Sequence, residues 1–149
     1  MVKIYNKALN TSISVGRLIG KIKGTQKGPT LVYFGGIHGN ETAGVFALND
    51  VFKSLDPSLV KGTIYGISGN LNALKTNQRF IDEDLNRVWL KENLSQLGSK
   101  ENLNNEETEQ QELYTILEKI LEQDEGPFYF IDLHTTSSKT LPFITINDA

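Results

Sequence analysis

The chain has 149 residues, which sets one domain, residues 1–149, as the natural expectation and suffices to bury about two thirds of the unfolded surface. Hydrophobic residues make up 38% and charged residues 22%, a globular composition, and a net charge of −3 without a basic stripe argues against nucleic acid as a partner. Cysteine is absent, so disulfides and thiolate metal sites are excluded, and any metal must be held by His, Asp, Glu or backbone oxygen.

The N-terminus, Met1-Val-Lys-Ile-Tyr5, has no apolar run of signal-peptide type. No segment approaches the roughly 18 apolar residues of a membrane span, so no membrane partner and a cytoplasmic location are expected. Residues 13–23 alternate loosely and carry glycines, which predicts one or two exposed strands; Gly24 to Pro29 is turn chemistry. Thr30 to Ile37 reads as a buried strand. Glu41 to Leu55 reads as a helix with a broad apolar face, with Ala43, Ala47, Val51 and Leu55 in register and Val45, Phe46, Leu48 and Phe52 beside them; Asp56-Pro57 stops it. Thr63 to Ser68 is another strand, and Gly69 to Arg79 a polar loop. Residues 91–105 are polar and read as a mobile surface excursion. Glu106 to Gln123 is an amphipathic helix with Leu113, Ile116, Leu117, Ile120 and Leu121 on one face and acidic residues at its start, where the helix dipole favours them. Phe128 to Leu133 is a third buried strand closed by His134, and residues 141–146 resemble a fourth. The order predicts an α/β fold, a mixed β-sheet flanked by helices.

In open α/β sheets the ligand crevice lies beyond the carboxyl ends of the strands. Both histidines of the chain stand at such ends, His38 after one strand and His134 after another. Glu41 follows His38 by three positions at a strand-to-helix turn, where Gly35, Gly36 and Gly39 leave room for a sharp bend. Two histidines and a glutamate form a His2Glu set, a known catalytic zinc environment with an open fourth position for water. Taken singly, either histidine also fits an ordinary turn or core role; the pair together with Glu41 favours the metal.

A second constellation is Asn77-Gln-Arg-Phe-Ile-Asp-Glu-Asp-Leu-Asn-Arg87. Arginine offers a planar fork of donors that fits a carboxylate. Asn86 and Arg87 can grip a substrate carboxylate, Arg79 can stabilise an oxyanion, and Asp82, Glu83 and Asp84 can orient the arginines. A charged surface loop is the alternative. Asp132 lies two residues before His134, hence on the same side of a strand, and can orient that imidazole. Residues 135–138, Thr-Thr-Ser-Ser, are either pocket lining or a turn.

Together "GGIHGNE", "RFIDEDLNR" and "IDLHTTSS" resemble the succinylglutamate desuccinylase/aspartoacylase family of zinc carboxypeptidase-like hydrolases, over about residues 30–140. The resemblance implies one Zn2+ per chain bound by His38, Glu41 and His134, with Asn86 and Arg87 binding a substrate carboxylate and Arg79 polarising the scissile carbonyl. It implies a zinc-peptidase-like core and hydrolysis of the amide of an N-acyl amino acid, for example an N-acyl aspartate or N-succinyl glutamate. Zinc would lower the pKa of its water toward about 7, and a glutamate would shuttle the proton.

That glutamate usually lies well downstream of the third ligand, yet the fifteen residues after His134 contain none. The chain therefore resembles a truncated form with the C-terminal part missing. It is expected to hold metal but to hydrolyse poorly alone; Glu83 is a conceivable substitute base that the spacing does not support. Other readings are a zinc carboxypeptidase acting on peptides and a non-catalytic metal- or carboxylate-binding module. An unpaired sheet edge would favour a homo-oligomer.

Overall fold

A computed structural model describes residues 1–136 and 139–146. The chain opens with an antiparallel hairpin, β1 (Val2–Asn6) and β2 (Thr11–Val15), in which Ile4 stands opposite Ile13. There follow β3 (Leu18–Lys23), β4 (Gln26–Gly35), α1 (Ala43–Ser54), β5 (Lys61–Ser68), α2 (Leu71–Thr76), α3 (Lys91–Leu97), α4 (Asn105–Gln123) and β6 (Phe128–Leu133). Single turns of 3-10 helix lie at Pro57–Leu59 and Leu85–Arg87. The main sheet has the order β3-β5-β4-β6; β3 is antiparallel to β5, and the other two pairs are parallel. The expected mixed sheet with flanking helices is therefore present.

Alternation along the strands divides the core between the two faces of the sheet. On one face Val32, Tyr65 and Ile67 pack with Leu113 and Ile120 of α4 and with Leu85 and Val88. The other face receives α1, whose Phe52 ring lies against Gly20 and Gly66; a Cβ at Gly66 would stand 2.3 Å from that ring. Val45, Phe46 and Leu74 join Ile4 and Val15 of the hairpin in a second cluster on the α1 side.

The structure revises several sequence expectations. The face of α1 that is buried carries Val45, Phe46 and Leu48, not the Ala43–Ala47–Val51 row, which is exposed. β4 begins at Gln26, inside the expected turn, and ends at Gly35, where the chain turns rather than running on to Ile37. Residues 69–79, expected as loop, contain α2: the Asn70 side chain caps it by accepting the Ala73 N–H at 2.9 Å, and Asn77 closes it in the left-handed region. The 91–105 excursion contains α3, with Leu97 buried. β6 is the sheet edge rather than a buried strand, and Tyr129 and Phe130 are exposed. Residues 141–146 form no strand; Leu141, Phe143, Ile144 and Ile146 are exposed, and an extended apolar segment without a neighbouring strand has no ladder to join.

The register sets the height of the site. Gly35 pairs with Ser68 on one side and with Leu133 on the other, so β4, β5 and β6 all end at one level. The loops leaving that level carry the candidate residues, apart from Asp132 near the end of β6.

Candidate metal centre

Gly36 begins the turn out of β4 with φ +73°, a conformation in which side chains are rarely found. Three residues on, Gly39 lies so close to α2 that a Cβ would stand 2.0 Å from the Ala73 carbonyl carbon. This packing pins the turn and aims His38 and Glu41 across the ends of the strands; both are buried. His134 arrives from the end of β6, with its ring centroid 5.0 Å from that of His38. One ligand atom from each of His38, Glu41 and His134 lies within 4.8 Å of the others, a group that could hold a metal ion.

The hydrogen bonds define which atoms face inward. His38 Nδ1 stands 2.9 Å from Glu41 Oε1, and His134 Nδ1 stands 3.2 Å from Glu41 Oε2. The outer nitrogens face carboxylates: His38 Nε2 lies 3.0 Å from Asp84 Oδ1, and His134 Nε2 lies 2.5 Å from Asp132 Oδ2. Each imidazole thus lies between two carboxylates; with a cation at the centre, each Nε2–H would donate to its aspartate and each Nδ1 would present its lone pair to the metal. Three electron-pair donors then converge, and a cation shared among them satisfies all three. Two imidazoles and a carboxylate, without thiolate, suit zinc among the metals that favour nitrogen and oxygen.

The electrostatics agree. Burial disfavours the ionised Glu41, but the Thr135 N–H at 2.6 Å and the two imidazoles more than offset it, and the carboxyl sits below its ordinary range. Burial likewise opposes ionisation of Asp84, and His38, the Asn86 N–H and Arg79 outweigh it. Asp132 raises the pKa of His134 against the opposing effect of burial, with Glu41 adding to the rise. A metal at the centre competes with protons for these ligands, so binding should weaken in acid.

The "RFIDEDLNR" segment divides its work. Arg79 is half exposed at the lip of the site, 3.4 Å from both Glu41 Oε1 and Asp84 Oδ2. Asn86 and Arg87 lie exposed on the 3-10 turn, and Asn86 Nδ2 is 3.3 Å from His134 Nε2. Of the three acids, only Asp84 touches an arginine. Asp82 instead accepts from the Asn105 N–H at 2.9 Å, and Glu83 from Asn104 Nδ2 at 2.7 Å. Both contacts point to the start of α4, away from the metal ligands, and Glu83 is thereby occupied as a candidate base. Ser137 and Ser138 of the expected polar loop, and residues 147–149, lie outside the described residues.

Sequence reasoning missed Glu106. It is completely buried, and its carboxylate accepts the N–H groups of Ile81, Asp82 and Glu83. The available signal was helical spacing: 106, 109, 110, 113, 116, 117 and 120 form one continuous stripe.

A mixed α/β sheet with a His–Glu–His cluster beyond its strand ends defines an α/β protein with a candidate metal centre. Residues 27–148 match the Succinylglutamate desuccinylase/Aspartoacylase catalytic domain, and the chain belongs to that family. It is 33% identical over 128 residues to a probable aspartoacylase of Acaryochloris marina, covering 79% of this chain and 39% of that protein. It is 32% identical over 112 residues to a succinylglutamate desuccinylase of Photorhabdus laumondii, covering 71% of this chain and 33% of that protein. Among solved structures, succinylglutamate desuccinylase from Vibrio parahaemolyticus shares the fold with a TM-score of 0.60 at 20% identity, over 76% of this chain and 38% of that one. A succinylglutamate desuccinylase/aspartoacylase from Rhodobacter sphaeroides does so with a TM-score of 0.58 at 24% identity, over 77% and 32%. The chain thus spans 39% and 33% of the length of the two curated relatives.

Proposed function

We propose that residues 1–149 form the metal-binding and carboxylate-recognising portion of a zinc-dependent hydrolase that cleaves the amide bond of an N-acyl amino acid. One observation carries this reading: the imidazoles of His38 and His134 turn Nδ1 toward Glu41, while Asp84 and Asp132 take their outer nitrogens. His38, Glu41 and His134 would hold one Zn2+. A bound zinc ion would supply Lewis-acid polarisation of a carbonyl and activation of a water.

The chain's own residues divide the remaining work. With the ion bound, Asp84 and Asp132 would accept from Nε2–H and leave each Nδ1 to the metal. Arg79 has long contacts in the free site and a half-exposed guanidinium, so it can turn its donors onto developing oxyanion charge at little cost. Asn86 and Arg87, exposed on a turn beside His134, would fix a substrate carboxylate and place the scissile bond near the metal. The partner is a small N-acyl amino acid with a free carboxylate. No helix among the described residues is long and apolar enough to cross a membrane.

A second reading has its own observation. Glu83, a conceivable base, is engaged by Asn104 Nδ2 at 2.7 Å. On that reading these 149 residues bind zinc and a carboxylate ligand with little turnover. The test is calorimetric titration of the zinc-loaded chain with N-acyl aspartates, N-succinyl glutamate, short peptides and the corresponding amino-acid amides, with product assayed in parallel. Binding that needs the free carboxylate and falls in Arg87→Ala supports the reading, and turnover then separates hydrolase from binding module. A preference for peptides would point to a carboxypeptidase, and equal binding of the amides would sink the carboxylate grip.

A further inference from the structure

The inward stripe of α4 changes from apolar to charged in its first turns, and that end underlies the loops of the metal centre. Leu113 and Ile120 are buried against the sheet; upstream on the same stripe Glu106, Glu109 and Gln110 are buried as well. Each serves a different segment. Gln110 Nε2 donates to the Val88 carbonyl at 2.8 Å. Glu109 accepts the Asn72 N–H at 3.0 Å and pairs with Arg17, whose guanidinium also donates to the carbonyls of Ser68 and Gly69.

Glu106 makes the densest set. Oε1 accepts from Asn70 Nδ2 and from the Ile81 N–H, both at 2.8 Å, and Oε2 accepts the N–H groups of Asp82 at 2.9 Å and Glu83 at 3.2 Å. Four donors saturate the oxygens of an ionised carboxylate, which is what a fully buried one requires. Burial opposes its ionisation, but these donors prevail and its pKa lies below the ordinary range.

The clamped backbone has neither helix nor strand at 79–84 and so no ladder of its own to hold its shape. The next residue is Asp84, whose Oδ1 faces His38 Nε2 and also accepts the Asn86 N–H, each at 3.0 Å. Asp132, near the end of β6, and His134, just after it, pair with each other and lie outside this chain of bonds.

We propose that Glu106 is a positioning residue of the site: by clamping the backbone at 81–83 it sets where Asp84 stands against His38 Nε2. The consequence for metal affinity rests on the zinc reading above; the contact between Asp84 and His38 does not.

The test uses the full chain as Glu106→Gln, which sets an amide NH2 against backbone N–H donors, and as Glu106→Asp, which keeps the charge but shortens its reach. Glu122→Gln, exposed on the same helix, is the control. With two histidines in the sequence, imidazole 15N spectra of the metal-free protein contain two side chains. In Glu106→Gln the His38 resonances should depart from those of wild type as its contact with Asp84 weakens, while His134 keeps its pattern, and zinc affinity by chelator competition should fall roughly 10-fold or more. Glu106→Asp should fall between the two, and Glu122→Gln should match wild type.

A folded Glu106→Gln with the His38 spectrum and zinc affinity of wild type would overturn the proposal and leave Glu106 a purely structural anchor; equal disturbance of both histidines would do the same. If Glu106→Gln does not fold, the same comparison on Glu106→Asp decides. If wild type binds no zinc, the metal reading fails, and the His38 spectra still decide the role of Glu106.

Discussion

Asp84 shows how one side chain can carry several parts of a site. It accepts from His38 and the Asn86 N–H, meets Arg79, and caps the 3-10 turn that presents Asn86 and Arg87. Asp84→Asn should therefore weaken zinc binding roughly 10–100-fold, read by competition with a chelator, while the fold by circular dichroism stays intact. Unchanged affinity would mean that His38 is oriented by something else. At this scale the site was largely legible. A histidine at the end of a strand and a carboxylate three or two residues away are local facts, and local facts survive folding. Glu106 was not legible, because a glutamate in the first turn of a helix already has a sufficient explanation in the helix dipole. Its burial depends on the loop of residues 81–83, which folds onto it from a distant part of the sequence.

Elements with strong periodicity or β-branched runs were readable: α4, β5 and the core of β4 stand close to where the pattern puts them. The short α2 was not, since its six residues include only two leucines and an alanine; what makes it a helix is the Asn70 cap and packing against β1 and Gly39. β1 was missed because a five-residue strand acquires meaning only with its partner β2. Residues 141–146 have the composition of a strand without a neighbour to pair with. Where α4 ends, Asp124 fastens the helix to the sheet: its buried carboxylate meets the Tyr65 hydroxyl, Thr63 Oγ1 at 3.3 Å, and Lys21 and Lys23. Burial opposes its ionisation, yet these partners prevail and its pKa is lowered. A carboxyl whose folded pKa lies below its unfolded value contributes stability that is fully present above the unfolded value and is lost as pH falls through the folded one. Urea unfolding should thus show stability declining from about pH 5 downward, and Asp124→Asn should make that decline shallower. An identical acid profile in the variant would remove Asp124 as a contributor.

At the scale of the whole molecule, the parallel strands β4, β5 and β6 end at one level, and the polar face of α4 ties the emerging loops together there. The opposite feature is the outer edge of β6, with Tyr129 and Phe130 exposed. An uncovered apolar edge strand pairs readily with another chain. Sedimentation velocity should show concentration-dependent self-association that Phe130→Lys suppresses; a monomer at every concentration would refute it. The central claim is the three-ligand metal site, and elemental mass spectrometry of the purified chain beside His134→Ala tests it most directly. The expected result is about one zinc ion per wild-type chain and its loss in the variant. A folded wild-type chain that takes up no metal from added zinc, or a variant that holds as much as wild type, would contradict it.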